Sequence, residues 1–137
     1  MKKTKAPVDV PSLKPTSAKL GMKPGHKVCV LGSPKGFVDA LKPRPAGVTF
    51  TARADESADL FLCFVRSERE LQSYVVSLAR TIGRQTLWVI WPKKASGVPS
   101  DIDGNVVRLT GLDAGWVDFK VCSVDATWSG LAFKRRK

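Results

Sequence analysis

The stretch that most limits what this chain can become is Asp59-Leu60-Phe61-Leu62-Cys63-Phe64-Val65, an acidic residue followed by six apolar ones. Successive strand side chains point to opposite faces, so a half-buried strand alternates apolar and polar residues. This run does not alternate. It predicts a strand covered on both faces, the condition of a parallel sheet packed between helices. The period then changes. Leu71, Tyr74, Val75, Leu78, Ala79 and Ile82 recur at helical spacing and form one face of a three-turn helix. Ser67-Glu68-Arg69-Glu70 has the form of a capping box, and Gly83 supplies a C-terminal stop.

The rest of the chain repeats this alternation. His26–Gly32 reads as a buried strand ended by Gly-Ser-Pro. Pro34–Leu41 suits a short helix with Ser33 as N-cap and Pro34 at its first position. Val48–Arg53 and Thr86–Trp91 read as strands. Ser100 is placed to cap a weaker helix whose face carries Ile102, Val106 and Leu109, with Gly104 reducing its regularity. Trp116–Val124 and Thr127–Phe133 are separated only by Asp125-Ala126, which forces an antiparallel hairpin. The expected fold is therefore α/β: a three-layer Rossmann-like sandwich with a mostly parallel sheet of about six strands and a C-terminal antiparallel hairpin.

A chain of 137 residues fits one such domain. Its net charge of +11 is uneven. Six lysines against one aspartate fall in residues 1–25, residues 134–137 are Lys-Arg-Arg-Lys, and the part between is nearly neutral. The expected organisation is a flexible basic N-terminal arm over 1–19, a single domain over 20–133 and a basic tail over 134–137. Tails of that kind imply weak, salt-sensitive contact with polyanions, without sequence readout. No apolar segment follows the basic first residues and none approaches a bilayer-spanning length, so the expectation is a cytoplasmic protein with no membrane association. Cys29, Cys63 and Cys122 each lie in a strand-like run, none in a Cys-x-x-Cys pair, and His26 is the only histidine. Buried free thiols are expected, with no metal site and no cofactor.

The element order looks like a shortened class I methyltransferase core. More locally, Leu20-Gly21-Met22-Lys23-Pro24-Gly25, Trp91-Pro92-Lys93-Lys94-Ala95-Ser96-Gly97 and Lys120–Leu131 resemble a bacterial family known as domain of unknown function 3052, over about residues 18–135. That resemblance implies a Rossmann-like domain and no particular activity. Class I methyltransferases end their first strand with an acidic residue and a Gly-x-Gly turn, and their second with an acidic residue for the ribose hydroxyls. Here the first position reads Leu31-Gly32-Ser33-Pro34-Lys35-Gly36 and the second Thr51-Ala52-Arg53, with Asp55 two residues beyond. Pro34 also removes an N–H donor.

In an open parallel sheet, ligands bind beyond the carboxyl ends of the strands where the strand order reverses. Three loops are candidates if the first and third strands are neighbours: Gly32, Ser33, Lys35 and Gly36; Arg66 and Ser67; Lys93, Lys94 and Ser96. The first two would open helices whose N-termini favour an anion. The alternative is that Ser33 and Ser67 merely cap helices while the lysines face water. The glycine loop is not a P-loop, which is longer and ends Gly-Lys-Ser/Thr. A second polar cluster would join Asp118 and Lys120, two apart and hence on one face, to Asp125, Trp128 and Ser129; a plain cross-strand charge pair is the simpler account. Nucleophilic catalysis finds little support. His26 precedes the first strand, at the opposite end from the loops, and no spacing singles out a Ser–Lys dyad from Ser96 or Ser129 with Lys93 or Lys94. No catalytic residue is assigned. The expected function is a non-catalytic module binding a small anionic ligand or a protein partner. The competing readings are a diverged S-adenosylmethionine-dependent enzyme and a nucleic-acid-associated protein acting through its tails.

Overall fold

In a computed structural model, residues 14–136 are described. The expected N-terminal arm lies mostly outside them. Six strands form one sheet: β1 (Lys27–Leu31), β2 (Thr49–Thr51), β3 (Leu60–Phe64), β4 (Thr86–Pro92), β5 (Trp116–Ser123) and β6 (Trp128–Arg135), in the order β2-β1-β3-β4-β6-β5. The first four are mutually parallel, and β6 runs antiparallel to both β4 and β5. The Rossmann-like architecture expected from the sequence is the one observed.

All five residues of β3 are buried, as their uninterrupted apolar sequence requires. Each such side chain removed from water contributes about 1.5–3 kcal/mol. Phe61 and Cys63 face a layer made by α3 (Glu68–Ser77), a 3₁₀ turn over Leu78–Arg80, and α4 (Gly104–Asp113), through Leu71, Val75, Leu78 and Val107. Leu62 and Phe64 face the opposite layer, made by the short α1 (Thr16–Lys19) and α2 (Phe37–Ala40) and the segments after them, through Leu20, Met22, Phe37 and Leu41. Two indole N–H groups fasten these layers to the sheet. Trp116 Nε1 donates to the Val75 carbonyl at 2.9 Å, and Trp88 Nε1 donates to the Leu20 carbonyl at 2.8 Å.

Several local expectations are corrected. The helix expected over Pro34–Leu41 is one turn only. It is capped at Gly36 with no side-chain bond, so Ser33 caps nothing. Asp103 rather than Ser100 caps α4, with Oδ1 accepting from the Val106 amide at 2.9 Å, and Leu109 lies 55% exposed while Val107 and Gly111 face the core. Residues 134 and 135 belong to β6, and the Arg136 amide donates to the Gly115 carbonyl at 2.9 Å, so the C-terminal cations of the described chain are strand and strand-end residues, not a tail. At the N-terminal side, α1 falls inside the expected arm and is tied down by Ser17 Oγ donating to the Pro43 carbonyl at 2.7 Å. Cys29 and Cys63 are buried, but Cys122 is only half-buried. Among the described residues no helix is long and apolar enough to cross a membrane.

Candidate functional site

The chain leaves β1 toward β2 on one side and returns with β3 on the other, so the strand order reverses between β1 and β3. Their following segments diverge to opposite layers, α2 to one and α3 to the other. Gly32, Arg66 and Lys93 therefore lie at the same carboxyl edge of three adjacent strands.

Gly32 adopts a left-handed conformation (φ +70°), and a β-carbon there would stand 2.8 Å from the Phe64 carbonyl oxygen. Glycine allows the two strand ends to close together. Across that contact Arg66 Nη1 donates to the Gly32 carbonyl at 3.2 Å, while its guanidinium carbon lies 5.1 Å from the centre of the Trp128 ring. Trp128 is buried and meets Phe64 edge-on at 5.1 Å, and Phe64 meets Phe37 in the same manner at 4.7 Å. A column of three rings thus ends in a half-buried guanidinium at the switch point. Among the described residues the ion pairs are Arg53–Asp55 and Arg108–Asp118. Arg66 is held by a carbonyl and a ring and takes part in neither of these described ion pairs.

The neighbouring loops are largely self-satisfied. Ser67 Oγ accepts from the Glu70 amide at 3.1 Å, and Glu70 Oε1 accepts from the Arg66 amide at 2.8 Å, one residue outside the usual reciprocal partner. Asp101 Oδ1 takes the Glu68 amide at 2.8 Å. The N-terminus of α3, expected to favour an external anion, is thus already served by the chain's own oxygens, two of them carboxylate. The one-turn α2 offers no helix-end site either. Neither loop therefore presents a free helix N-terminus to an anion, and the edge keeps its side-chain cations. Lys93 Nζ donates to Ser123 Oγ at 2.6 Å and to the Asp125 carbonyl at 2.7 Å. Ser96 Oγ donates back to the Lys93 carbonyl at 2.6 Å, folding its loop into a tight turn. Lys35, Gly36 and Lys94 are exposed and Ser33 is half-buried. A cavity of about 410 Å³ opens beside this edge, walled by Lys93, Lys94, Ser100, Asp101 and Asp103.

The second polar cluster does not assemble as expected. Asp118 pairs with Phe133 across the hairpin and Lys120 with Ala132, so a bulge at Phe119 separates them. One extra residue reverses the alternation, which sends Asp118 and Lys120 to opposite faces. Asp118 instead meets Arg108 of α4 at 3.2 Å. Asp125 closes the hairpin turn, its Oδ1 accepting from the Thr127 and Trp128 amides at 2.8 Å each. Ser129 pairs with Trp91 and Ser123. Trp128 lies opposite Pro92 and so reaches the switch-point edge. The role of Trp128 beneath Arg66 escaped the sequence reading because nothing local says that β6 pairs with β4.

The thiols are not poised as nucleophiles. Burial pushes Cys29 up to about 11, with Asp55 adding to the effect, and burial likewise raises Cys63 and Cys122. His26 lies at the opposite edge, where its Nδ1 accepts from the Lys23 amide at 3.2 Å.

No family model matches the chain, and no curated protein does. Solved structures do. A SAM-dependent methyltransferase from Aquifex aeolicus is similar over 85% of either chain, at 15% identity and a TM-score of 0.61. The Methanococcus jannaschii fibrillarin pre-rRNA processing protein matches over 92% of this chain and 71% of its own, at 8% identity and a TM-score of 0.56. Magnesium protoporphyrin IX methyltransferase from Synechocystis, with bound SAH, matches over 82% and 74%, at 14% identity and a TM-score of 0.53. At these identities the likeness is one of fold: the chain has the Rossmann-like fold of the S-adenosylmethionine-dependent methyltransferases.

Proposed function

We propose that this is a diverged methyltransferase-fold domain whose switch-point edge takes a small phosphate- or carboxylate-bearing ligand in place of S-adenosylmethionine. The observation that carries the reading is Arg66, a guanidinium fixed between the Gly32 carbonyl and the Trp128 ring and in neither ion pair of the described residues. A fixed cation with aromatic backing attracts a carboxylate or phosphate through charge-assisted hydrogen bonds. It also disfavours a sulfonium cation placed near it. Lys35, Lys93 and Lys94 add positive charge to the same edge, and none of them is in an ion pair among the described residues. The departures at Ser33-Pro34 and Thr51-Ala52-Arg53 from the methyltransferase pattern agree with a changed ligand.

Methyl transfer from S-adenosylmethionine is the second reading, and the fold comparisons favour it. Synechocystis structures with this fold carry SAH or SAM, and Gly32 leaves the first strand end free of a β-carbon.

Calorimetry separates the two. Inorganic phosphate, AMP and citrate are titrated alongside S-adenosylmethionine and its demethylated product, into the full chain and into Arg66→Gln. The proposal expects binding of at least one anion, weakened about tenfold or more by Arg66→Gln, a change worth about 1.4 kcal/mol. Binding of S-adenosylmethionine with no anion bound would overturn it in favour of the enzyme. Silence toward the whole panel would leave a protein partner as the surviving role of this edge and would also count as refutation.

A further inference from the structure

We propose that the opposite, amino edge of the sheet binds single-stranded nucleic acid. Two cavities border it. One, of about 450 Å³, lies between the segment after α1 and the bulge of β5 and is walled by Lys19, Lys23, Arg84, Phe119, Lys120 and Lys134. The other, of about 670 Å³, shares Arg84 and Lys134 with the first and continues past Arg135 and Arg136. Among the described residues Asp59 is the one acid in either wall, and its Oδ2 already accepts from the Lys27 amide at 2.8 Å.

Among the described residues, carbonyls rather than carboxylates hold the cations of this edge. Lys134 Nζ donates to the Arg84 carbonyl at 2.5 Å and Arg136 Nη2 to the Leu112 carbonyl at 2.7 Å, while the Lys19 ammonium reaches the Ser123 carbonyl at 2.7 Å, toward the other edge. Arg135 Nη1 donates to the Ala79 carbonyl, and its guanidinium packs on the Trp116 ring. Neutral carbonyls orient these cations without cancelling their charge. Neither described ion pair includes any of them. Cations spread over two cavities that share Arg84 and Lys134 match a run of phosphates better than a single one.

The remaining observation is aromatic. The bulge that separates Asp118 from Lys120 leaves Phe119 55% exposed on the wall of the first cavity, beside Lys120. An exposed ring within a cationic groove is a stacking platform for an unpaired base, which a duplex does not present. This edge is at the far end of the strands from Arg66, so the two proposals stand independently. The contact is made by the folded body, not by a tail.

Fluorescence anisotropy with a labelled twelve-nucleotide oligothymidylate tests it, on the full chain at 50 and 200 mM salt. Contact with about five phosphates predicts about a hundredfold loss of affinity over that interval. Arg84→Ala with Lys134→Ala should weaken binding more than the charge-matched pair Arg53→Ala with Arg69→Ala. Phe119→Ala should cost about tenfold for the oligonucleotide and nothing for inorganic polyphosphate used as competitor. Absence of oligonucleotide binding at 50 mM salt, or equal losses in the two arginine- and lysine-deleted pairs, would overturn the site. A duplex bound as tightly as the single strand, or Phe119→Ala without effect, would overturn the single-stranded reading.

Discussion

Replacing Gly32 by alanine asks whether the close approach of β1 and β3 at their carboxyl ends is under strict steric control. Two terms act. Holding an L-residue at φ +70° costs about 1–2 kcal/mol, offset by about 0.4–1 kcal/mol because alanine also restricts the unfolded chain. Gly97 measures that pair of terms alone: its φ is +80°, and a β-carbon there would meet nothing within 4 Å. Gly97→Ala should therefore destabilise by about 0.5–1 kcal/mol. At Gly32 the new β-carbon would lie 2.8 Å from the Phe64 carbonyl oxygen, where ordinary contact begins near 3.4 Å. The strand ends must then part by about half an ångström. The Arg66–Gly32 hydrogen bond, already 3.2 Å long, is lost with that movement. A hydrogen bond to a charged group contributes about 1.5–3 kcal/mol, so the expected total is about 2–4 kcal/mol. Urea denaturation at 25 °C, with tryptophan fluorescence as the probe, reads the difference between the two variants. If Gly32→Ala and Gly97→Ala agree within about 0.5 kcal/mol, the backbone contact does not constrain the edge and the reasoning fails.

Trp88→Phe removes the hydrogen bond to the Leu20 carbonyl, leaving that buried acceptor unpaired, and should cost about 1–3 kcal/mol. Faster amide exchange in residues 17–22 should accompany the loss; unchanged exchange there would show that the indole is not what anchors this segment. Cys29 gives a pH signature: the unfolded thiol ionises near 9.0 and the folded one near 11. The unfolded chain therefore releases its proton first, and this group's contribution to stability is constant below about pH 9 and falls between about pH 9 and 11. Denaturation midpoints of the unmodified chain and Cys29→Ala, followed across that window, should converge as pH rises; curves that stay parallel would contradict the burial of this thiol.

The elements were legible wherever one local physical requirement dominated. Leu60–Val65 could only be a strand covered on both faces, and the apolar spacing from Leu71 to Ile82 could only be satisfied by a helix laid on that sheet. The two-residue gap at Asp125-Ala126 dictated the hairpin. Capping was less legible. Ser33 and Ser100 are good N-cap residue types, yet Gly36 and Asp103 hold those positions. Several residues near a helix start can cap it, and the first turns observed are those that set Phe37 and Val107 into the two layers.

What the sequence determined by itself was the class: an α/β sandwich in which strand and helix alternate, because burial pattern and turn chemistry act over a few residues. What only the tertiary structure decided was the chemistry of the two edges. Pairing of β6 with β4 brings Trp128 under Arg66, and the bulge at Phe119 turns Asp118 and Lys120 apart. The helix end that looked open to an anion is filled by Asp101 and Glu70, one of them 33 residues from its partner. Cations that read as a tail at the chain's end stand in the final strand and at its end, gathered with Arg84 and Lys120 from elsewhere. Charge and reach act through space rather than along the chain, so sites of this kind exist only once distant segments have been folded together.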